Sequence, residues 1–365
     1  MKNKIITALF CLLLSGGFFA ELILPDRDYS VQERRSLAQL PACSTDDIRS
    51  GAFGNGLEEY LSDQFPVRDA WISVKTCAER LCGKKECGGV YFAENEYLIE
   101  KHSELPDDQM QRNLGAVRSL SERIGEIPLY FMPVPTASYI LSDLLPAYAP
   151  NADQSAAVKV AEALGIQTVD VKDALLMHKD EYIYYKTDHH WTSLGAYYAY
   201  AEWKAQKGET ALPLAEWKTE ILCSDFRGTT YAKVNDPFAA YDVLTAYYLS
   251  PHTVSYNQGS YQTESLYERA KLDGPDKYAV FLNSNQADTV IYGQGKGKLL
   301  ILKDSYANTF AQFPAEDYAE THLIDMRFFR KSIPAYIEEN GITEVLVLYN
   351  TPNFCEDTDI SRCAK

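Results

Sequence analysis

The chain has 365 residues, and its 51 acidic side chains outnumber the 35 basic ones, which gives a formal net charge of −16. Nucleic acid and anionic lipid surfaces are disfavoured as partners, because both are bound through clustered Lys and Arg and no such cluster occurs here. With 46% hydrophobic residues and 26 tyrosines, the composition is typical of a folded globular protein rather than a disordered acidic chain.

The N-terminus predicts an export signal. Two lysines precede sixteen uncharged residues, and Glu21 is followed by three further apolar residues. The segment is intermediate in length between a cleavable signal peptide and a spanning helix, which needs about 20 apolar residues. Cleavage of a signal peptide after Gly17 fits the small-x-small pattern formed by Ser15 and Gly17. If the segment is instead retained, residues 5–24 form a membrane anchor, which is the alternative that we favour. Either way, the chain beyond Asp26 is expected in the cell envelope, on the extracytoplasmic face.

Seven cysteines follow this segment, so at least one is expected to be unpaired or to pair between chains. Their spacing does not fit the CxxC pairs of zinc ribbons. We expect short-loop disulfides instead, with Cys223 unpaired. The other six are Cys43, Cys77, Cys82, Cys87, Cys355 and Cys363, of which the last two would close a loop at the C-terminus.

After the anchor, residues 25–45 are charged and aperiodic and predict a spacer. Residues 46–105 predict an N-terminal extension with two helices divided by Pro66, followed by a hairpin at 88–100. From there helices and strands alternate. The helices are expected at 107–124, at 152–164, from Thr192 onward and at 332–340, and the strands at 128–135, 167–171, 298–305, 321–327 and 344–350.

Strands that are apolar on both faces and separated by helices predict a parallel sheet covered on both sides. Residues 212–288 are rich in Tyr, Thr and Ser and have little helical period, which predicts a β-rich or irregular insertion. We therefore predict one α/β domain over residues 106–354, followed by a tail at 355–365.

The first candidate site lies at the end of the strand that precedes Asp304, Ser305 and Tyr306. Catalytic groups of open parallel sheets gather at the carboxyl ends of strands. Ser305 would stand at a strand-to-helix turn, where the following backbone N–H groups are free to bind an oxyanion. The alternative is that Ser305 only caps the helix.

The second candidate site is the string TDHHWTS at residues 187–193. Asp188 is placed to accept the Nδ1–H of His190, which leaves Nε2 to take a serine proton. A metal site at Asp188 and His190 is less favoured, because adjacent histidines seldom reach one ion and no second ligand motif is nearby. We expect neither a metal nor another cofactor. A polar core network of His189 and His190 is the remaining alternative.

Several segments together resemble a known family. The strings DHHW, ERRSLAQLP, YLSDQFPVRDAW and GVYFAENEYLIE look like the DHHW family of bacterial envelope proteins. The Asp-x-His-Trp at 188–191, followed by the Asp-Ser-Tyr at 304–306, also resembles the motifs of the SGNH-like alginate acetylation proteins AlgJ and AlgX. The resemblance implies an SGNH-hydrolase-like three-layer fold with a central, mostly parallel sheet. It also implies a permuted motif order, since the Asp-x-His precedes the serine.

Carried over by position, the resemblance makes Ser305 the nucleophile, His190 the general base and Asp188 its orienting acid. Lys303 stands where a glycine often precedes Asp-Ser in SGNH enzymes, and the separate glycine and asparagine of their oxyanion hole are not identified. The supporting or oxyanion candidates are Tyr306, Asn308, Arg327, Asn350 and His189.

The implied activity is that of a serine-dependent O-acetyltransferase or acetylesterase acting on a cell-surface or exported polysaccharide through an acyl-serine. A membrane-bound O-acyltransferase is the implied partner that delivers the acyl group. The alternative is a non-catalytic glycan-binding or scaffold protein of a polysaccharide export complex. Because the net charge of −16 would repel a strongly anionic polymer, we expect a neutral or weakly charged glycan.

Overall fold

The computed structural model describes residues 2–365, which divide into two compact units. The smaller comprises residues up to 88 together with 231–238, and the larger comprises 89–230 and 239–365. The boundary falls at Gly88 rather than at residue 105, because the predicted hairpin packs within the larger unit. Its Leu98 donates a backbone hydrogen bond to Lys186, and its Tyr97 is buried in the main core.

The smaller unit is mainly helical. It begins with the helix Lys2–Ile23, in which Lys4–Glu21 is long and apolar enough to cross a membrane. Its other helices are Thr45–Ser50, Ala52–Gln64 and Arg68–Leu81, and the last two are divided at Pro66 as predicted.

The predicted spacer at residues 25–45 is an ordered part of this unit. Two short strands, Tyr29–Ser30 and Arg35–Ser36, pair antiparallel. The carboxylate of Asp63, on the helix Ala52–Gln64, accepts hydrogen bonds from the Arg35 guanidinium and from the Ala38 N–H. Because a buried carboxylate needs such partners, Asp63 ties the spacer to the helix.

The larger unit is built on an eight-stranded sheet. In chain order its strands are β1 Leu129–Val134, β2 Gln167–Thr168, β3 Thr253–Tyr256, β4 Tyr261–Thr263, β5 Asp288–Tyr292, β6 Lys298–Lys303, β7 Glu320–Ile324 and β8 Glu344–Asn350. Across the sheet their order is β4-β3-β5-β7-β6-β8-β1-β2. Strands β7, β6, β8, β1 and β2 are parallel, and β4, β3 and β5 add an antiparallel edge. The mostly parallel sheet is thus confirmed, and the predicted insertion supplies β3 and β4.

Both faces of the sheet are covered. Successive residues of β6 alternate between two apolar cores: Leu299 and Ile301 lie in one, Leu300 and Leu302 in the other. The helices of this unit are Asp107–Ile124, Ala137–Ile140, Ala156–Ala163, Lys172–Met177, Ser193–Gln206, Ala307–Phe310, Ile333–Asn340 and Thr351–Glu356. Two further antiparallel pairs join Val90–Phe92 to Leu98–Glu100 and Lys218–Phe226 to Asp242–Tyr248.

The predicted disulfides are not formed, since all cysteines in residues 2–365 are free thiols. Cys355 and Cys363, predicted to close a loop, are instead packed in the second apolar core. Burial raises the pKa of each of these two thiols to about 12. The segment predicted as a tail therefore contributes to the core.

Candidate active site

Two segments that are far apart in the sequence meet at the carboxyl end of β6. Ser305 follows this central strand, two residues before the helix Ala307–Phe310. His190 lies in the loop before the helix Ser193–Gln206, whose first turn is capped by the Thr192 side chain. The sheet topology therefore brings the two predicted candidate sites together.

Ser305, His190 and Asp188 form one chain of hydrogen bonds. The Ser305 Oγ lies 2.7 Å from Nε2 of His190, and Nδ1 of the same ring lies 2.5 Å from Oδ1 of Asp188. The backbone N–H of His190 donates to that same carboxylate oxygen. Asp188 and His190 are buried, whereas Ser305 is partly exposed. This arrangement orients the imidazole with Nε2 toward the serine hydroxyl.

The second oxygen of Asp188 is held by the segment at 228–229. Oδ2 accepts hydrogen bonds from the Thr229 N–H at 2.8 Å and from its hydroxyl at 3.1 Å. Gly228 passes so close that a Cβ built on it would lie 2.1 Å from the Cβ of Asp188. Only glycine fits at this position, and no sequence motif predicts that requirement.

Burial and neighbouring charge set the protonation of this pair. Burial alone would raise the pKa of Asp188, but the imidazoles of His190 and His189 and the hydrogen bonds to its oxygens hold that pKa well below its usual range. Burial lowers the pKa of His190, and the adjacent His189 lowers it further, against the opposing effect of Asp188. At neutral pH the site thus holds a carboxylate and a neutral imidazole, the form in which histidine accepts a proton.

Tyr278 is a site residue that the sequence did not reveal. Its ring stacks on His190, with centroids 3.8 Å apart and planes within 9°. Its hydroxyl donates to the Ser305 carbonyl at 3.1 Å. It lies in the short helical segment Lys277–Val280 of the predicted insertion, and nothing in the sequence distinguishes it from the other tyrosines.

Asp304 organises the turn around Ser305. Its Oδ1 accepts the Tyr306 N–H, and its Oδ2 accepts the backbone N–H and the side-chain amide of Asn350 and the amide of Asn353. The Tyr306 N–H is therefore occupied, and the N–H groups of Ala307 and Asn308 donate to the carbonyls of Asp304 and Ser305, contrary to the expectation that these groups are free. Among the described residues, no protein acceptor is found for the N–H of Ser305 itself.

The remaining candidates surround the site without donating to Ser305 in the described chain. His189 lies half-buried beside His190, with Nδ1 2.5 Å from the Thr229 hydroxyl, and its carbonyl accepts the Tyr306 hydroxyl. Asn308 accepts from Lys303 Nζ at 2.8 Å, and Arg327 pairs with Asp325.

Lys303 is a buried cation two residues before Ser305. Its ammonium also donates to the side-chain carbonyl of Asn285 at 2.7 Å, and burial lowers its pKa to about 8. Lys303 thus joins the loop at Asn285 to the turn that carries Ser305.

A metal ion is the rival occupant of the histidine pair. Ligand atoms of Asp188, His189 and His190 lie within 4.8 Å of one another. However, Asp188 and His190 are hydrogen-bonded to each other, and His189 to Thr229. Binding an ion through all three would break these contacts, so the donor set fits the proton-transfer arrangement better than a metal centre.

The site residues lie within a segment that matches a known protein family. A sequence profile described as "DHHW protein" matches residues 124–324, more than half of the chain and a span that contains Asp188, His190 and Ser305. A comparison with curated proteins gives no match.

Three solved structures resemble the chain. A DHHW family protein from Eubacterium siraeum DSM 15702 is 26% identical at a TM-score of 0.65, over 76% of this chain and 95% of that one. Bacillus cereus PatB1 with a sulfonyl adduct is 19% identical at a TM-score of 0.63, over 76% of this chain and 98% of that one. The O-acetyltransferase domain of Pseudomonas putida AlgJ is 16% identical at a TM-score of 0.49, over 75% of this chain and 94% of that one.

Proposed function

The chain belongs to the DHHW family, and from this membership and the geometry at Ser305 we propose a serine-dependent O-acetyltransferase or acetylesterase acting on a cell-surface or exported polysaccharide. The observation that carries the proposal is the hydrogen-bonded chain from Ser305 through His190 to Asp188. A serine hydroxyl facing a neutral, carboxylate-oriented imidazole is the arrangement that activates an alcohol for attack on an ester.

In the first half-reaction, Nε2 of His190 takes the hydroxyl proton while the Ser305 Oγ attacks the acyl carbonyl of the donor ester. Asp188 stabilises the imidazolium that forms. The Ser305 N–H, for which no protein acceptor is found in the described chain, is the donor that we propose for the developing oxyanion. Return of the proton from His190 to the departing alcohol leaves an acyl-serine.

In the second half-reaction the acyl group passes to an acceptor hydroxyl. His190 takes the acceptor's proton, the acceptor oxygen attacks the acyl-serine, and Ser305 recovers its proton from the imidazolium. Water as acceptor gives an esterase, and a sugar hydroxyl gives a transferase. We propose the sugar, which the family resemblance favours.

The apolar N-terminal helix supports a place for this reaction outside the membrane. Its segment Lys4–Glu21 has the length and composition of a membrane span. An anchored enzyme facing away from the cytoplasm would receive acyl groups from a membrane-bound O-acyltransferase and pass them to an exported glycan.

The test is covalent labelling of Ser305 combined with acetyl-ester turnover. We expect a serine-reactive fluorophosphonate to label the chain, and Ser305→Ala to abolish both labelling and turnover. PatB1, which shares this fold, has been solved with a sulfonyl adduct, and sulfonyl fluorides react with nucleophilic side chains, so such a reagent is a second probe. The matched control is Ser142→Ala, which truncates an exposed serine in the same unit.

An unlabelled Ser305, or turnover that persists in Ser305→Ala, would contradict the proposal. The alternative, a non-catalytic glycan-binding or scaffold protein, predicts saturable oligosaccharide binding without labelling. Adding a neutral oligosaccharide to the turnover assay separates the two enzymatic outcomes, because only a transferase yields acetylated sugar.

A further inference from the structure

The helix Arg68–Leu81 in the smaller unit has polar residues on its packed face. Thr76 is buried there and donates to the Val234 carbonyl at 2.5 Å, and Arg80 pairs with the buried Asp236. The opposite face carries Trp71, Val74, Ala78 and Leu81, which we call the apolar stripe. Their spacing of three, four and three residues keeps them on one side of the helix.

The apolar stripe is exposed in the described chain. Trp71, Val74 and Leu81 expose 43%, 57% and 89% of their surface. This is the reverse of an ordinary surface helix, in which the apolar side is buried. A contiguous exposed apolar surface marks a site of contact with another apolar surface.

Phe65, three residues before this helix, lies against the candidate membrane span. The Phe65 ring packs on Gly17, where an added Cβ would lie 3.2 Å from it. Gly17 precedes Glu21, the last residue of the segment Lys4–Glu21, by four residues, or about 6 Å along the helix axis. Phe65 therefore sits in the outer half of the span, and the helix with the stripe begins three residues later.

We propose that the apolar stripe lies on the outer surface of the lipid bilayer that the N-terminal helix crosses, with Trp71 at the level of the headgroups. Tryptophan prefers that level because its ring is apolar and its N–H polar. The helix would lie in the plane of the interface, as amphipathic helices do. Since the span already holds the unit at the membrane, even a short stripe suffices for contact.

The acidic net charge does not oppose this contact. It disfavours attraction to anionic headgroups, whereas the stripe would enter the boundary between headgroups and acyl chains by burying apolar surface. A zwitterionic phosphatidylcholine bilayer is therefore the appropriate probe.

Trp71 reports directly on its own surroundings. The other three tryptophans, Trp191, Trp203 and Trp217, are buried in the core of the larger unit. The full chain is reconstituted in phosphatidylcholine vesicles whose acyl chains carry bromine near the headgroup. The fluorescence of Trp71 is the difference in emission between the unaltered chain and Trp71→Phe. We expect the brominated lipid to quench this fluorescence by about twofold or more, since bromine quenches only indoles at bilayer depth. Val74→Glu, which places a charge in the exposed stripe, should reduce that quenching.

Two results would overturn the proposal. If Trp71 is quenched by aqueous acrylamide and not by brominated lipid, the stripe faces water. If neither reagent quenches it, the stripe is covered by protein, either a second copy or a partner. Labelling of Ser305 is expected to be unchanged in Trp71→Phe, so this test and the test of the proposed function can fail separately.

Discussion

The ring of Tyr278 lies flat against the imidazole of His190, and its hydroxyl reaches the carbonyl of Ser305. One side chain thus contacts both residues between which a proton is proposed to move. Stacking restricts the tilt of the imidazole, and a misplacement of about 1 Å at a reacting group costs on the order of 100-fold in rate.

We therefore expect Tyr278→Ala to lower kcat/KM for acetyl-ester turnover by about 10- to 100-fold, because His190 loses its support. Tyr278→Phe keeps the ring and loses only the hydroxyl, so its kcat/KM should fall by no more than about fivefold, the worth of one neutral hydrogen bond of roughly 1 kcal/mol. Equal losses in the two variants would show that the hydroxyl, and not the stacking, is what matters.

The contrast between Tyr278 and His190 shows how far the sequence predicts the site. His190 and Ser305 were predictable because each lies in a short string whose neighbours carry chemistry: Asp188 two residues before the histidine, and a strand end before the serine. Tyr278 and Gly228 act only through contacts made in the folded chain, so no local spacing identifies them.

The fold shows the same division. The helix at 107–124 and the strand β8 were predicted closely, because their periodicity is local. The antiparallel edge formed by β3 and β4 was not predicted as part of the main sheet. Its position depends on the pairing of β3 with β5, a long-range contact that leaves little trace in short strands.

The pH dependence follows from the lowered pKa of His190. Burial and the adjacent His189 both disfavour its protonated form, so the neutral base persists below pH 6.5, the ordinary pKa of histidine. We expect the rate of Ser305 labelling to stay constant as the pH falls through 6.5 and to decline only below it. An inflection at or above 6.5 in the unaltered chain would contradict the lowered pKa.

His189→Gln tests one cause of that shift. Removing an imidazole that opposes protonation of His190 should raise the pKa of His190, so the inflection in the labelling rate should move to higher pH. The measurement is the labelling rate between about pH 4 and 8, the range in which histidines titrate. An unmoved inflection would assign the shift to burial alone.

Chelation should leave the reaction unchanged. Asp188 and His190 already bind each other, and the proposed steps move protons through His190 without an ion. Dialysis against EDTA is therefore expected to preserve both Ser305 labelling and ester turnover, measured beside an untreated sample. Loss of turnover on dialysis, restored by added Zn²⁺, would favour the rival metal centre of Asp188, His189 and His190.

Two glycine-to-alanine substitutions distinguish an effect on the active site from an effect on the stability of the backbone. Gly228→Ala would place its Cβ 2.1 Å from the Cβ of Asp188, so the carboxylate must move away from His190. We expect Ser305 labelling to slow by about 100-fold or more, because a displaced Asp188 no longer orients the base.

Gly115→Ala is the matched control. Gly115 lies on the exposed side of the helix Asp107–Ile124, and an added Cβ there meets nothing within 4 Å. Alanine should stabilise that helix by about 0.5–1 kcal/mol, because it loses less backbone freedom on folding. We expect Gly115→Ala to raise Tm slightly with unchanged labelling, and Gly228→Ala to lower both Tm and labelling. Normal labelling in Gly228→Ala would mean that Asp188 can shift without loss, and that its held position is not required by the reaction.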